Sequence, residues 1–253
     1  MGFDSWMLDQ LQQGLSGPCL RFYTWSRPTL SLGFHQQQLA PRWRELAAAG
    51  VIDLVRRPTG GRAVLHGAEL TYSLVQVAAT SRRREAYATA CGWLQQAFAE
   101  LGLPLGFGAA RSGGGTQRGS CFASATAADL VHANGAKRVG SAQLWRGSLL
   151  LQHGSVLLDP PPALWNDVFS ETPPDLPPLG LSVEQLMGCL ETAARQHLCA
   201  GSLQLQPLRA AERSQVDRRA MGYRREARAL GLSSTSPLAS IARATGARAM
   251  PSG

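Results

Sequence analysis

One cysteine and one lysine are the residues best suited to act together chemically. Of the 25 basic residues, 24 are Arg, and Lys137 is the single Lys. A compact ammonium on a flexible stem makes contacts that the planar guanidinium of Arg cannot make, so Lys137 is predicted to be functional. Cys121 directly follows a Gly- and Ser-rich stretch at 106–120, which predicts an accessible thiol. A nearby cation stabilises the thiolate, the nucleophilic form of cysteine, so the pair predicts a nucleophilic cysteine with a cationic neighbour.

The other cysteines favour packing over chemistry. Cys91 lies on the apolar stripe of a predicted helix, where a thiol behaves as a small hydrophobe. Cys189 and Cys199 lie in or after a second amphipathic helix, and the five cysteines form no C-x-x-C pair, which is typical of free thiols in a reducing compartment. His197 and Cys199 could begin a metal site, but further ligands at suitable spacing do not follow. The sequence therefore predicts no metal.

A basic Gly-Gly turn between two predicted strands is the second candidate for a site. The strands are predicted at 51–55 and 63–66, and the turn between them contains Arg-Pro-Thr-Gly-Gly-Arg. Glycines let the backbone approach a ligand closely, and backbone N–H groups in such turns hold anionic or carbonyl groups. An ordinary β-hairpin with exposed arginines is the alternative interpretation. The candidate lining residues are Arg57, Thr59, Gly60, Gly61, Arg62, Ala63 and His66.

The hydrophobic pattern predicts a mixed α/β chain of the α+β type. Asn134-Gly135 and Arg146-Gly147 are typical of tight hairpin turns, so the strands around them form an antiparallel meander that places Lys137 near a hairpin end. Ser182 and Gln185 form a capping-box pattern that opens a helix. Strands are predicted at 20–23, 29–32, 51–55, 63–66, 69–77, 127–133, 137–145 and 149–158, and helices at 3–15, 41–49, 85–101, 182–198 and 208–230.

Composition and charge divide the chain into four parts. Residues 1–206 carry 16 basic and 14 acidic side chains, net +2, whereas residues 207–253 carry 9 and 3, net +6. The basic character is thus concentrated in the C-terminal part. We expect a core at 1–160, a Pro-rich connector at 161–181, a helical extension packed on the core at 182–230 and a disordered tail at 231–253.

The predicted location is the cytoplasm. The chain contains no run of the roughly 18 apolar residues that a membrane span needs. Its first fifteen residues include acids and glutamines where a signal peptide would carry a basic flank and an apolar core. We therefore expect no membrane partner.

The segment RRPTGGRAVLHGAELTYS resembles the signature of the lipoate–protein ligase and octanoyltransferase family, which is related to biotin–protein ligases. LRFYTWSRPTLSLGFHQ, KRVGSAQ and QHGSVLLD resemble other motifs of that family and occur in the family's order. The resemblance spans roughly residues 1–160. It implies the biotin/lipoate protein ligase catalytic-domain fold, a mostly antiparallel mixed sheet flanked by helices. One departure is Gly67, where many members have Asp after the motif histidine.

The resemblance is greatest to the cysteine-dependent octanoyltransferase branch. There a cysteine in this loop accepts the acyl chain as a thioester, and the lysine of the K-x-x-G-S-A motif lies beside it. By resemblance, Cys121 is the nucleophile, Lys137 assists it, and Gly140, Ser141 and Ala142 help to stabilise the oxyanion. His66 is a candidate proton carrier, and His153 with Gly154 lines the site.

The implied partners are octanoyl–acyl carrier protein as donor and lipoyl domains of 2-oxoacid dehydrogenases or the glycine cleavage H protein as acceptors. No cofactor is expected. Carrier proteins and lipoyl domains are acidic as families, so a basic enzyme would gain association rate by electrostatic steering.

Three alternatives remain open from the sequence. An ATP-dependent ligase would share the fold and activate the acid as acyl-adenylate, using ATP and Mg²⁺. Such ligases usually carry a further small C-terminal domain, for which 182–230 is short. A non-catalytic acyl-binding module would not need Cys121 and Lys137. A nucleic-acid-binding regulator would depend on the Arg-rich C-terminal part alone, and nucleic acid is not an expected partner.

Overall fold

Two sheets and six helices form the computed structural model, which describes residues 1–108, 120–122, 129–199 and 203–229, with side chains described as far as Tyr223. The predicted tail at 231–253 and most of the Gly- and Ser-rich stretch lie outside these ranges. The helices are α1 Gly2–Gln12, α2 Pro41–Ala48, α3 Arg83–Glu100, α4 Pro162–Phe169, α5 Val183–His197 and α6 Ala210–Ala229. The strands are β1 Cys19–Tyr23, β2 Thr29–Leu32, β3 Asp53–Arg56, β4 Val64–His66, β5 Glu69–Val77, β6 Gly106–Phe107, β7 Leu130–Val131, β8 Lys137–Arg146 and β9 Leu149–Leu157.

The larger sheet has six strands in the order β1-β5-β9-β8-β7-β6, and every neighbouring pair is antiparallel. The smaller sheet has the order β3-β2-β4, with β2 parallel to β3 and antiparallel to β4. The predicted mixed, mostly antiparallel α+β architecture is thus confirmed.

Three apolar clusters hold these layers together. Helices α3 and α5 cover one face of the large sheet, where Trp93 and Leu190 pack with Tyr72. Helix α1 packs Met7 and Leu8 against a separate cluster that includes Leu151 of β9. The third cluster lies around the small sheet and contains side chains of α2 and α4. Burial of this apolar area is the main stabilising term.

The Pro-rich segment contains a helix that the sequence interpretation did not include. Helix α4 begins with Pro162 in its first turn, a position where the missing N–H of proline costs nothing. Trp165, Val168 and Phe169, at i, i+3 and i+4, are buried in the cluster around the small sheet. The apolar spacing was hidden because prolines lie on both sides of it. This part of the predicted connector is therefore packed structure.

The meander differs from prediction mainly at β7. Of the predicted strand at 127–133, residues 127 and 128 lie outside the described residues; within 129–133 the strand covers Leu130–Val131, and its register with β8 shifts at this point. His132 instead accepts a hydrogen bond from the buried Arg138, Nε to Nε2, at 2.9 Å. Arg138 also donates to the carbonyl oxygens of Leu157, at 2.8 Å, and Pro177. It thereby fastens the Pro-rich segment to the sheet, and burial lowers its pKa to about 10.

Helix α6 packs along α1. The Ser5 and Tyr223 hydroxyls lie 2.6 Å apart, and Trp6 Nε1 donates to Gln215 Oε1 at 2.8 Å. In the described ranges the structure contains no helix long and apolar enough to cross a membrane.

The end of β2 lies against the Gly-Gly turn. The Phe34 N–H donates to the Thr59 carbonyl at 2.8 Å, and a Cβ added to Gly33 would overlap the Gly61 carbonyl oxygen. Only a residue without a side chain fits, because the opposing atom belongs to the backbone and cannot rotate away. The glycine at 33 therefore sets the distance between β2 and the turn.

We expect Gly33→Ala to destabilise the protein by about 1–3 kcal/mol, the usual cost of overpacking, and to displace the turn. Thermal unfolding measures the effect. Gly17→Ala is the matched control, because a Cβ at that position meets nothing within 4 Å. Equal melting temperatures for the two variants would contradict the close contact.

Candidate active site

Cys121 and Lys137 contact each other, as expected from the sequence. Lys137 Nζ lies 3.3 Å from Cys121 Sγ and donates to the Cys121 carbonyl oxygen at 2.8 Å. The cysteine is held from the other side, because its N–H donates to the Ala63 carbonyl at 2.8 Å and Ser120 forms a parallel bridge with Ala63. Ala63 leaves the Gly-Gly turn, so the turn itself positions the thiol.

The Lys137 ammonium has an anionic and an aromatic neighbour as well. Asp129 Oδ1 lies 2.9 Å from Nζ, and the Phe122 ring centroid lies 4.8 Å away, within cation–π range. A Cβ on Gly140 would lie 2.7 Å from Lys137 Cε and 3.1 Å from Phe122 Cζ. The glycine of the G-S-A motif therefore leaves room for the lysine side chain in the position it occupies.

Arg57 holds the shape of the turn from within. Its guanidinium donates to the carbonyls of Gly60, at 2.8 Å, and Arg62, at 2.7 Å, and to the Ser31 carbonyl of β2 at 3.0 Å. Burial lowers the pKa of Arg57, and the neighbouring Cys121 partly opposes that lowering. The structure thus places Arg57 on the protein side of the turn, while Gly61 and Arg62 are exposed. Substrate contact by the turn remains a prediction.

Thr59, His153 and Asp4 form a buried hydrogen-bond chain. His153 Nε2 lies 2.6 Å from Thr59 Oγ1, and Nδ1 lies 3.2 Å from Asp4 Oδ2. Burial by itself would raise the pKa of Asp4, but the amino terminus, the His153 hydrogen bond and Arg21 hold it well below its ordinary value. Burial lowers the pKa of His153 and outweighs its bond to Asp4. Neutral His153 therefore donates to Asp4 and accepts from Thr59, which fastens the turn to α1.

His66 lies in a second polar group beside the turn. Its Nδ1 lies 2.5 Å from Glu69 Oε1 and its Nε2 lies 2.7 Å from Ser31 Oγ, which also accepts from Arg57 at 3.2 Å. Trp25 stacks on the imidazole with ring centroids 4.1 Å apart. The structure places His66 next to Arg57 through Ser31 and shows no direct contact with Cys121. Its role as proton carrier remains a prediction.

The departure at Gly67 has a conformational reason. Gly67 has φ +131°, a region that L side chains rarely adopt. Its N–H and that of Ala68 donate to Glu69 Oε2 at 2.7 and 3.0 Å. The carboxylate that holds His66 therefore also closes this turn.

A chain of hydrogen bonds reaches Ser141 of the G-S-A motif. Trp145 Nε1 can only donate, and it donates to Gln143 at 3.0 Å; Gln143 donates to Gln152 at 2.7 Å. Gln152 donates to Tyr72 Oη at 2.8 Å, and the Tyr72 and Ser141 hydroxyls lie 2.7 Å apart. The chain therefore ties Ser141 to the buried polar groups of β5 and β9.

The G-S-A and Q-H-G motifs face each other across β8 and β9. Gly140, Ser141 and Ala142 pair with Ser155, Gly154 and His153. A Cβ on Gly154 would lie 2.5 Å from Ser141 Oγ and 2.6 Å from Tyr72 Cε1, so this glycine admits the polar chain. Cys91 borders the same chain, and burial raises its pKa to about 12. It is a buried thiol, as predicted from its stripe.

Several residues of this site escaped the sequence interpretation. Asp129 precedes Lys137 by eight positions, a spacing that predicts no contact, and Asp4 lies 149 residues from His153. Tyr72 and Gln152 belong to strands whose sequence pattern predicts only packing in the hydrophobic core. Within the described ranges, His, Cys, Asp and Glu side chains form no group of three or more that could hold a metal ion.

The fold is that of lipoate–protein ligase catalytic domains. A structure of lipoate-protein ligase A bound with ATP superposes with a TM-score of 0.71 at 20% identity, covering 91% of this chain and 92% of that one. A second similar structure comes from Thermoplasma acidophilum and contains a bi-partite lipoate protein ligase and its E2 lipoyl domain. It superposes with a TM-score of 0.65 at 18% identity, covering 93% of this chain and 94% of that one. At these identities the likeness shows the fold alone.

The sequence comparison then defines the family. The model of the lipoyl protein ligase A/B catalytic domain matches residues 1–176, and the chain belongs to this family, as its motifs predicted. Similar proteins include octanoyltransferase LipM of Moorella thermoacetica, 38% identical over 164 residues, and of Symbiobacterium thermophilum, 40% identical over 153 residues. The matches cover 62% and 56% of this chain and 60% and 54% of those relatives, respectively.

The His153 chain predicts a pH-dependent stability. The pKa of folded His153 lies below its ordinary value of 6.5, so the unfolded chain binds the extra proton first as the pH falls. Stability is complete above about pH 6.5 and declines below it. We expect His153→Gln to be less stable than the native protein at pH 7.5 and to lose less stability between pH 7.5 and 5.

Urea denaturation at several pH values measures this difference. The pKa of His132 is also lowered by burial and by Arg138. Because His132 is present in both proteins, its contribution to the pH dependence cancels in the comparison. Asp4 titrates below its ordinary value of 3.8, outside the window. Parallel stability curves for the native protein and the variant would contradict the assignment.

Proposed function

We propose that the protein is a cysteine-dependent octanoyltransferase that moves an octanoyl group from an acylated donor to a lysine of a lipoyl domain. The observation that carries the proposal is the contact of 3.3 Å between Lys137 Nζ and Cys121 Sγ, in a site whose glycines admit both side chains. The similar proteins named octanoyltransferase LipM support it. Octanoyl–acyl carrier protein is the proposed donor.

The first half-reaction acylates the cysteine. The Cys121 thiolate attacks the thioester carbonyl of the donor, a C–S bond to Sγ forms, and the bond to the donor sulfur breaks. The donor leaves as a thiolate. Lys137 stabilises the attacking thiolate, and the G-S-A segment offers backbone N–H groups and the Ser141 hydroxyl to developing negative charge.

The second half-reaction transfers the acyl group. The ε-amine of the acceptor lysine attacks the carbonyl of acyl-Cys121, a C–N bond forms, and Sγ leaves with its electron pair. The amine loses one proton to solvent, and the donor thiolate takes up one proton from solvent. Because the acyl group arrives as a thioester, it is already activated, and the reaction needs neither ATP nor a cofactor. Dividing the transfer into two steps is the advantage of a covalent intermediate.

We expect full turnover without ATP and Mg²⁺. The assay incubates the protein with octanoyl–carrier protein and a lipoyl domain, with and without ATP, and follows the mass of the lipoyl domain. The alternative function is that of an ATP-dependent ligase. This alternative is considered because the chain shares its fold with lipoate-protein ligase A, which has a structure with bound ATP. Strict dependence on ATP with free octanoate or lipoate as substrate would establish that alternative.

Two substitutions separate the roles of the pair. Cys121→Ser replaces the thiolate with a hydroxyl that is protonated at neutral pH, and we expect transfer to fall by a factor on the order of 10³ or more. Lys137→Arg retains the charge but substitutes a wide, planar group in a space bounded by Gly140 and Phe122. We expect Arg not to restore turnover.

Single-turnover rates measure both variants, and circular dichroism checks the fold. Cys189→Ser is the matched control, since Cys189 is a half-buried thiol on α5 away from the pair, and it should keep native activity. An active Cys121→Ser would contradict the covalent mechanism. An active Lys137→Arg would show that Lys137 contributes only its positive charge.

A further inference from the structure

Asp129 forms a buried ion pair beside the nucleophile. Its Oδ1 lies 2.9 Å from Lys137 Nζ, and the side chains are 5% and 2% exposed, respectively. Together with Sγ and the carbonyl oxygen of Cys121, it gives the three N–H bonds of the ammonium three acceptors. Charged groups are buried at low cost only when they are paired and hydrogen-bonded in this way.

The charge around Lys137 changes during the reaction. In the proposed mechanism the form of the free enzyme that attacks the donor places the Lys137 ammonium between the Asp129 carboxylate and the Cys121 thiolate. Acylation converts the thiolate into a neutral thioester sulfur, which is a weak acceptor. Of these two anions only Asp129 then remains to balance the buried cation, and Arg57 adds further positive charge nearby.

The titratable neighbours on α3 do not replace it. Burial, followed by the nearby Cys91, Tyr72 and Asp129, raises the pKa of Tyr87 well above its ordinary value, and the pKa of Cys91 is about 12. Both groups are therefore neutral at working pH. Among the described residues, Asp129 is the carboxylate that pairs with Lys137, and the balance of charge in the acyl-enzyme depends on it.

We propose that Asp129 is a positioning residue that keeps Lys137 protonated and directed at the acyl-enzyme, and that it acts chiefly in the second half-reaction. This inference rests on the proposed function. The N–H that holds the thiolate in the free enzyme is released by acylation and donates to the thioester carbonyl oxygen as the amine adds. The C–N bond forms, the added nitrogen releases one proton to solvent, the C–S bond breaks, and the electron pair returns to Sγ, which pairs with Lys137 again.

Asp129→Asn tests the proposal, because the amide retains the size and an oxygen acceptor but removes the charge. Acylation by octanoyl–carrier protein and transfer from the isolated acyl-enzyme to a lipoyl domain are measured separately in rapid-quench experiments by intact mass. We expect acylation within about threefold of the native rate and transfer slower by about tenfold or more, since a hydrogen bond between two charges is lost. In the variant, transfer should decline at a lower alkaline pH than in the native enzyme.

Asp129→Glu keeps the charge and is the conservative counterpart. We expect it to preserve the native pH profile of transfer at a reduced rate, which also tests the proposal if the amide variant does not fold. Asp53→Asn is the matched control. Asp53 is half exposed and pairs with Arg27 at 3.7 Å, and its neutralisation should leave both steps unchanged.

Three results decide the matter. Equal slowing of both steps by Asp129→Asn, with an unchanged pH profile, would give Asp129 a merely structural role and overturn the inference. Native transfer by that variant would also overturn it. Failure of the native enzyme to form acyl-Cys121 would instead refute the proposed function, and this inference with it.

Discussion

A buried ammonium with three filled hydrogen bonds is the constraint on which the site depends. Lys137 is 3% exposed, and removing such a charge from water is costly unless acceptors surround it. The acceptors come from Asp129, directly before β7, and from both the carbonyl and the thiol of Cys121. The lysine can therefore hold its place only when Cys121 and Asp129, which both follow the Gly- and Ser-rich stretch, are correctly placed.

Both sheets contribute to the site. The large sheet supplies Lys137 from the start of β8, and the small sheet supplies the Gly-Gly turn that leads into β4. Ala63 links them, because its carbonyl accepts the Cys121 N–H at 2.8 Å. Arg57 holds the turn through its own carbonyls, and the chain from Thr59 through His153 to Asp4 ties it to α1. The chemistry of one sulfur atom thus depends on packing throughout the domain.

Local signals in the sequence were sufficient for most of the fold. Strands β2 and β5 have the predicted bounds, since turn residues mark their ends, and the capping box at Ser182 is present with Gln185 at 2.8 and 3.2 Å. The contact between Cys121 and Lys137 was predictable because a hairpin brings the end of the loop back to β8. Helix α4 was missed because its apolar spacing lies among prolines.

The partners of the site residues could not be predicted in the same way. Asp4 and His153 meet only because α1 packs across the large sheet, and their spacing in the sequence does not predict that contact. Asp129 meets Lys137 through a register shift between β7 and β8, which breaks the alternation on which a strand prediction relies. Motif resemblance pointed to the turn and to Cys121 as the proposed nucleophile, but the groups that hold them in place follow from three-dimensional packing.

The most direct test of the covalent account is the location of the acyl group on the enzyme. The native protein is exposed to octanoyl–carrier protein without an acceptor, digested at low pH and analysed by peptide mass spectrometry across all five cysteines. The account predicts an octanoyl adduct on Cys121 that hydroxylamine removes, as expected of a thioester. An adduct on another residue, or none unless ATP is supplied, would contradict it.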